Sequence, residues 1–337
     1  MFKESRMARV RQVQVIAHRG ASGYLPEHTL EAKAMAYAMG ADYLEQDVVL
    51  SKDNIPVVLH DIHLDTVTDV AERFPDRKRS DGRFYAIDFL AEEIQSLRAS
   101  ERFHHKTGKA IFSGRFPPHT GTFQVPTLAD EIELIQGLNK STGRNVAIYP
   151  ELKQPEFHHE EGRDLSKVVL DELARFGYTS KSSPVIVQCF DEMELRRVRE
   201  DLNCELTLVQ LFSAAKWMTQ RDAVDERRKR LAVVAEYADG IGPSIDAIFL
   251  EDPLGGVPIS SSLVVDAHAA DLIVHPWTFR ADAFPSMFQS FAQLHQAAVL
   301  AGIDGVFSDF PDQSVMYFEN LAAEKGRCTR MAEATAP

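Results

Sequence analysis

Short runs of apolar residues alternate along the chain with longer stretches whose apolar positions recur at helical spacing. This is the pattern of a parallel sheet whose strands are joined by helices. The apolar runs predict strands at 13–17, 43–50, 56–60, 146–151, 185–190, 206–211, 240–243, 272–277 and 305–309. Helices are predicted over 29–39, 128–138, 164–176, 191–201, 222–237, 260–270 and 286–301. Thr127-Leu128-Ala129-Asp130 is a capping-box variant, and Asp191 precedes a strongly charged periodic segment. Nine strands exceed an eightfold barrel by one, and the gap at 51–55 accounts for the excess, because a parallel crossover needs about a dozen residues or more. Strands 43–50 and 56–60 are therefore expected to pair as an antiparallel hairpin turning on Asp53-Asn54, which sets Asp47 opposite His60 with both side chains on one face. Eight parallel strands remain. The expected fold is an α/β (β/α)8 barrel, with a doubly wound α/β sheet as the alternative.

The stretch between His60 and Glu151 exceeds one strand–helix unit. Residues 62–123 are dense in Arg, Asp, Gly, Pro and His, with one clear helix at 91–98, and are expected to form an insertion lobe over the C-terminal mouth. Residues 1–324 are expected to form a single barrel domain and 325–337 a frayed tail. A hydrophobic fraction of 45% with 26% charged residues excludes disordered and fibrous classes, and a chain of 337 residues needs neither disulfides nor a structural metal for stability. Cys189, Cys204 and Cys328 are too few and scattered for a disulfide framework or zinc ribbon. The first 17 residues contain basic side chains but no apolar core of an export signal, and no apolar run approaches the ~18 residues of a membrane span, so neither export nor stable membrane insertion is expected from the sequence as written. The 37 Lys and Arg stand against 50 Asp and Glu, a formal charge of −13. Such a chain is a poor partner for nucleic acid or anionic lipid. If it handles a phosphate ester, it must gather positive charge locally, through basic side chains or a metal ion.

Barrel enzymes place their chemistry at the C-terminal strand ends. Here those ends carry His18-Arg19-Gly20, Glu45 and Asp47, His60-Asp61, Glu151 and Lys153, Gln188-Cys189-Phe190, His275-Pro276-Trp277, and Ser308-Asp309. Glu45, Asp47 and Glu151 form an all-oxygen set that suits a hard divalent cation such as Mg²⁺ or Ca²⁺, with no histidine required. His18 and His60 suit a general acid and base, since imidazole exchanges protons near neutral pH. Asp61 is placed to orient an imidazole, although neighbours on a strand point to opposite faces. Arg19 and Lys153 supply local positive charge for an anionic group, and Phe190 and Trp277 offer flat apolar faces. The pairs His104-His105 and His158-His159 are read as loop residues without chemistry. Phosphate-cradling Gly-rich loops, nucleophile elbows and His-Glu-x-x-His helices do not occur in the sequence.

The ordered set His18-Arg19-Gly20 through Pro26-Glu27-His28-Thr29, Glu45-Gln46-Asp47, His60-Asp61, Tyr149-Pro150-Glu151-Leu152-Lys153, Gln188-Cys189-Phe190, His275-Pro276-Trp277-Thr278 and Ser308-Asp309-Phe310-Pro311 resembles the glycerophosphodiester phosphodiesterase family. The likeness covers about residues 13–320, including Asp65–Asp69 and Arg73–Asp76 of the insertion. It is strongest to the bacterial periplasmic, calcium-dependent type, which shares His28 where many members have Asn. The resemblance implies catalytic His18 and His60, metal-binding Glu45, Asp47 and Glu151, and substrate contacts from Arg19 and Lys153. It also implies one divalent cation, Ca²⁺ before Mg²⁺, a small-molecule phosphodiester substrate and a periplasmic setting. Gln188, Phe190 and Trp277 are added as expected substrate-binding residues. The implied reaction is hydrolysis of glycerophosphodiesters, such as glycerophosphocholine and glycerophosphoethanolamine, to glycerol 3-phosphate and an alcohol. A glycerol hydroxyl attacks first, through a cyclic phosphate. Two alternatives stay open at this level: a phospholipase D-like lyase that releases the cyclic phosphate, and a barrel retained as a non-catalytic binding protein. Head-group preference, the initial base and oligomeric state are not legible.

Overall fold

The computed structural model describes residues 13–217, 224–252 and 258–334. The first twelve residues of the stretch read for an export signal, the start of the 222–237 helix and the last three residues of the expected tail lie outside them. The strands in chain order are β1 (Gln14–Ala17), β2 (Tyr43–Leu50), β3 (Pro56–Val58), β4 (Ala147–Leu152), β5 (Ile186–Cys189), β6 (Thr207–Phe212), β7 (Gly240–Pro243), the short hairpin β8 (Phe249–Leu250) and β9 (Ile259–Ser260), β10 (Ile273–Val274) and β11 (Gly305–Ser308). Eight of them run parallel in the order β10-β7-β6-β5-β4-β2-β1-β11, with β3 antiparallel on β2. The two ends of this order meet. Asp304 N–H donates to Val274 O at 3.0 Å, Phe307 N–H to Pro276 O at 3.1 Å and Phe279 N–H to Phe307 O at 2.8 Å. The result is a (β/α)8 barrel, nearly closed, with helices between its strands.

Alternation along each strand divides the core. Val15, Leu44, Ile148, Val187, Leu208, Ile241 and Val274 face the surrounding helices. Ile16, Tyr149, Ile186, Val209, Leu211 and Phe307 fill the barrel interior. The predicted helices are present, with bounds shifted by a few residues: Leu30–Ala38, Leu128–Thr142, Leu165–Arg175, Glu192–Glu200, Val224–Val234, Leu263–Ala269 and Phe291–Ala301. Thr127 caps the Leu128–Thr142 helix by a true capping box with Asp130, and Asp191 caps Glu192–Glu200 through the Glu194 N–H. A final helix, Pro311–Ala334, was not anticipated, and its backbone runs through most of the expected tail. Among the described residues, no helix is long and apolar enough to cross a membrane.

The hairpin differs from its predicted register. Val48 pairs with Val58, Val49 with Val57 and Leu50 with Pro56, so Asp47 stands opposite Leu59 and not His60. The turn holds three residues, not two. Ser51 and Ile55 close it, and Asn54 takes the left-handed conformation at φ 60°, as a type I turn followed by an αL residue requires. His60 reaches the mouth because the chain leaves the sheet after Val58. The 62–123 segment folds on a cluster of its own, in which Leu64, Val70, Phe84, Phe89, Ile94 and Leu97 pack on Val49, Val57 and Leu59 of the hairpin. Its predicted helix is shorter, Ala91–Gln95. His158 and His159 lie on a helix, Pro155–Glu160, and not in a loop. His158 Nδ1–H donates to Gln154 O at 3.0 Å and its Nε2 accepts the Leu50 N–H at 3.1 Å, which makes it a structural histidine.

His295 has a similar role near the barrel seam. Its Nδ1–H donates to Phe291 O at 2.7 Å, its Nε2 meets Ser314 Oγ at 2.9 Å, and the ring is 1% exposed. Burial pushes its pKa down to about 4. The unfolded chain, with His near 6.5, therefore takes up a proton that the folded chain refuses, and stability falls as pH drops from about 6.5 to about 4, by at most about 1.4 kcal/mol per pH unit. Urea midpoints measured across this window should decline less steeply for His295→Gln than for the wild type. Equal slopes would remove this histidine from the acid sensitivity.

Candidate active site

At the end of β1 the chain turns sharply through two left-handed residues, Arg19 at φ 59° and Gly20 at φ 85°. A Cβ at Gly20 would lie 2.8 Å from the Ala32 carbonyl carbon, so this turn and the Leu30–Ala38 helix close on each other only with glycine there. The turn presents His18 to the mouth and points the Arg19 N–H at Glu45 Oε2, 2.6 Å away. Register places the acids. β2 and β4 pair Asp47 with Glu151, and β4 and β5 pair Glu151 with Gln188, so the three form one row across adjacent strands. Glu45 lies two residues below Asp47 on the same inward face. Every predicted site residue except Asp47 lines one pocket of about 430 Å³: His18, Arg19, Glu45, His60, Glu151, Lys153, Gln188, Phe190 and Trp277. Asp47 lies beside it, 3.5 Å from Lys153 Nζ and 3.4 Å from Arg19 Nε.

The acids are buried and feel one another. Burial and then Asp47 hold Glu45 well above the usual carboxylate range, while burial and the Asp47 charge, opposed by Lys153, leave Glu151 at about 7. Asp47 is also buried, yet Lys153, His60 and His28 hold it well below its ordinary value. Such a set is stable only with cations close by. Lys153 Nζ is 2.6 Å from Glu151 Oε1. From below, the fully buried Lys33 bonds Glu131 Oε2 at 2.7 Å and the Glu45 carbonyl at 2.5 Å. The donor chemistry fits a divalent cation, with one addition to the expected set. His28 stands at φ 61° with Nε2 2.7 Å from Asp47 Oδ2, and His28, Glu45 and Asp47 each offer a ligand atom within 4.8 Å of the others. Glu151 is turned onto Lys153 and is not in that trio.

Each candidate catalytic histidine is held by an aspartate. His18 Nδ1 lies 2.6 Å from Asp309 Oδ1, and His60 Nδ1 lies 2.6 Å from Asp61 Oδ1. With Nδ1–H donated, the neutral ring leaves Nε2 as the free acceptor. Burial and then Arg19 lower both imidazoles to about 4, against the upward pull of their aspartates. Phe190 and Trp277 meet edge to face at 5.6 Å, and Lys153 Nζ lies 5.8 Å from the Phe190 ring. Gln188 Oε1 is buried and without a hydrogen-bond partner among the described residues, and buried Arg19 Nε has only its 3.4 Å ion pair with Asp47. A polar ligand in the pocket would satisfy both.

A profile of the glycerophosphoryl diester phosphodiesterase family matches residues 18–313. The chain belongs to this family. A glycerophosphodiester phosphodiesterase of Haemophilus influenzae is 42% identical over 327 residues, covering 91% of this chain and 90% of the relative. Another, of Treponema pallidum, is 37% identical over 324 residues, covering 90% and 91%. Among solved structures, a phosphodiesterase from Oleispira antarctica in complex with the product sn-glycerol-3-phosphate superposes with a TM-score of 0.62 at 22% identity, over 91% of this chain and 96% of that one. The protein is accordingly an enzyme, a phosphoric diester hydrolase of the glycerophosphodiester class.

Several residues that complete this phosphodiesterase site were not singled out from sequence. Asp309 and His28 stood inside quoted motifs without a role. Glu27 stood there too, while Lys33, Glu131, Arg102 and Arg115 carried no local signal, because their partners are distant in the chain: 98 residues separate Lys33 from Glu131 and 75 separate Arg102 from Glu27. Lys33 and Glu131 are both 0% exposed, so removing one partner leaves a buried charge. Lys33→Met should cost about 3–5 kcal/mol in urea unfolding, and Lys33→Met/Glu131→Leu should recover most of that loss. A double variant no more stable than the single would show that charge burial is not the cause.

Proposed function

We propose that the enzyme hydrolyses small soluble glycerophosphodiesters, glycerophosphocholine and glycerophosphoethanolamine among them, to glycerol 3-phosphate and the free alcohol. The observation that carries this reading is the pair of aspartate-held imidazoles on one pocket with three buried acids, Arg19 and Lys153. The product seen in the Oleispira antarctica phosphodiesterase supports the same chemistry by analogy. Glu45, Asp47 and Glu151, with His28 beside them, would hold a divalent cation, and the oxygen-rich set favours Ca²⁺, then Mg²⁺. When bound, such an ion polarises a phosphate oxygen and lowers the pKa of a glycerol hydroxyl. Arg19 and Lys153 bind the phosphate oxygens and stabilise the charge that grows on them. One imidazole Nε2 takes the proton of the attacking hydroxyl. The other, made easier to charge by the phosphate anion beside it, gives a proton to the leaving oxygen. The roles then exchange, and water opens the cyclic phosphate. Gln188 Oε1 accepts from a substrate hydroxyl, while Phe190 and Trp277 form the apolar wall.

Glycerol 3-phosphate release from glycerophosphocholine should stop on treatment with EDTA and return with Ca²⁺; activity that survives exhaustive chelation removes the cation from the reaction. An accumulating cyclic phosphate, seen by phosphorus NMR, would instead mark a lyase. His18→Ala and His60→Ala should each lower kcat at least ~100-fold with an unchanged circular dichroism spectrum. Near-normal turnover in either variant would end the two-histidine mechanism.

A further inference from the structure

The two aspartates that hold the histidines are themselves held, and the same lobe holds both. Each aspartate divides its oxygens in the same way. Asp61 gives Oδ1 to His60, and its Oδ2 accepts from Arg102 Nη1 at 2.6 Å and from Thr66 Oγ1 at 3.1 Å. Asp309 gives Oδ1 to His18, and its Oδ2 accepts from Arg115 Nη2 at 2.7 Å and from Arg280 Nε at 2.8 Å. Arg102 and Arg115 both come from the 62–123 insertion, although one dyad lies after β3 and the other after β11.

Neither arginine is a loose surface charge. Arg102 forks onto Glu27, with Nε to Oε2 at 3.0 Å and Nη2 to Oε1 at 2.5 Å, and Glu27 also accepts from Arg19 at 3.0 Å. Arg115 forks onto Asp282 at 2.8 and 3.0 Å, donates to Ser22 O at 3.2 Å, and lies 3.7 Å from the centre of the Phe112 ring; its side chain is 5% exposed. A planar guanidinium fixed by a bidentate partner holds its remaining N–H groups in set directions, and one of these meets the aspartate. That direction sets the plane of the aspartate, and the aspartate sets the plane and tautomer of the imidazole. Asp61 and Asp309 are both kept far below the ordinary carboxylate range.

We propose that Arg102 and Arg115 are positioning residues for catalysis, acting through Asp61 on His60 and through Asp309 on His18, so that the insertion lobe completes both halves of the acid–base pair. The proposal rests on the two-histidine reading above. The lobe thereby has a chemical task beyond covering the mouth. A barrel without it would keep the histidines and acids but strip Asp61 of its outer support and leave Asp309 to Arg280 alone.

Double-variant cycles test this. Arg102→Met and Asp61→Asn, singly and together, and likewise Arg115→Met and Asp309→Asn, are assayed on glycerophosphocholine with Ca²⁺, with kcat and KM determined separately and folding checked by urea unfolding. Each arginine variant should lower kcat at least about tenfold, and should lower it by less than about twofold when its aspartate is already Asn. An arginine that merely ties the lobe to the barrel would reduce stability with kcat intact, or multiply the loss in the double variant. Either outcome overturns the proposal for that arginine. If a methionine variant does not fold, Arg102→Lys and Arg115→Lys replace it; lysine keeps the charge but cannot fork, so kcat should still fall several-fold, and an unchanged kcat counts against the proposal. Retained activity in His18→Ala or His60→Ala would defeat the underlying mechanism. Loss there, together with independent arginine effects, would defeat this inference alone.

Discussion

Repulsion among Glu45, Asp47 and Glu151 organises the mouth of this barrel. Two like charges 4 Å apart at an effective dielectric near 20 cost about 4 kcal/mol. Three buried acids on two adjacent strands therefore demand compensation from every side. The Arg19 N–H and side chain answer from the β1 turn, Lys153 from the end of β4, and Lys33 with His28 from beneath. The strained backbone at Arg19 and His28 follows from the same need, since it brings a donor against an acid. A chain carrying a net charge of −13 thus keeps positive charge at this mouth, because Arg19 and Lys153 stand directly against its acids.

Much of this was legible in the amino-acid order. Apolar runs marked all eight barrel strands, since a strand buried on both faces reads as a continuous hydrophobic segment. The strand-end positions of His18, Glu45, Asp47, Glu151 and Lys153 followed from period-2 alternation. What failed was geometry that depends on one residue more or less. The Asn54 left-handed turn slips the hairpin by one, and His60 reaches the pocket by leaving the sheet and not through the expected pairing with Asp47. Also illegible were partners joined only by the closed barrel or the folded lobe, such as Asp309 for His18, Arg115 for Asp309 and Glu131 for Lys33. No local pattern announces an ion pair between residues nearly a hundred or more positions apart.

The hairpin also explains why the lobe and the site belong together. Glu45 and Asp47 point inward from β2, while Val49 of the same strand, with Val57 and Leu59 across the turn, belongs to the lobe's own core. One strand therefore ends in two hydrophobic environments, and the acids sit where the first gives way to the second. Packing in the lobe is transmitted to the acid row through a rigid, paired backbone and not through a flexible loop.

The His18–Asp309 pair has a consequence for how the enzyme comes into being. Its members are 291 residues apart. On the ribosome, the acid row and the His60 pair can be complete once β4 has emerged, long before β11 has been made. A chain ending there would carry the acid row and the His60–Asp61 pair but no aspartate for His18. The partner of His18 arrives only with the final strand, when Asp309 reaches back to the end of the first. Closure of β11 on β1 and support of His18 are thus the same event.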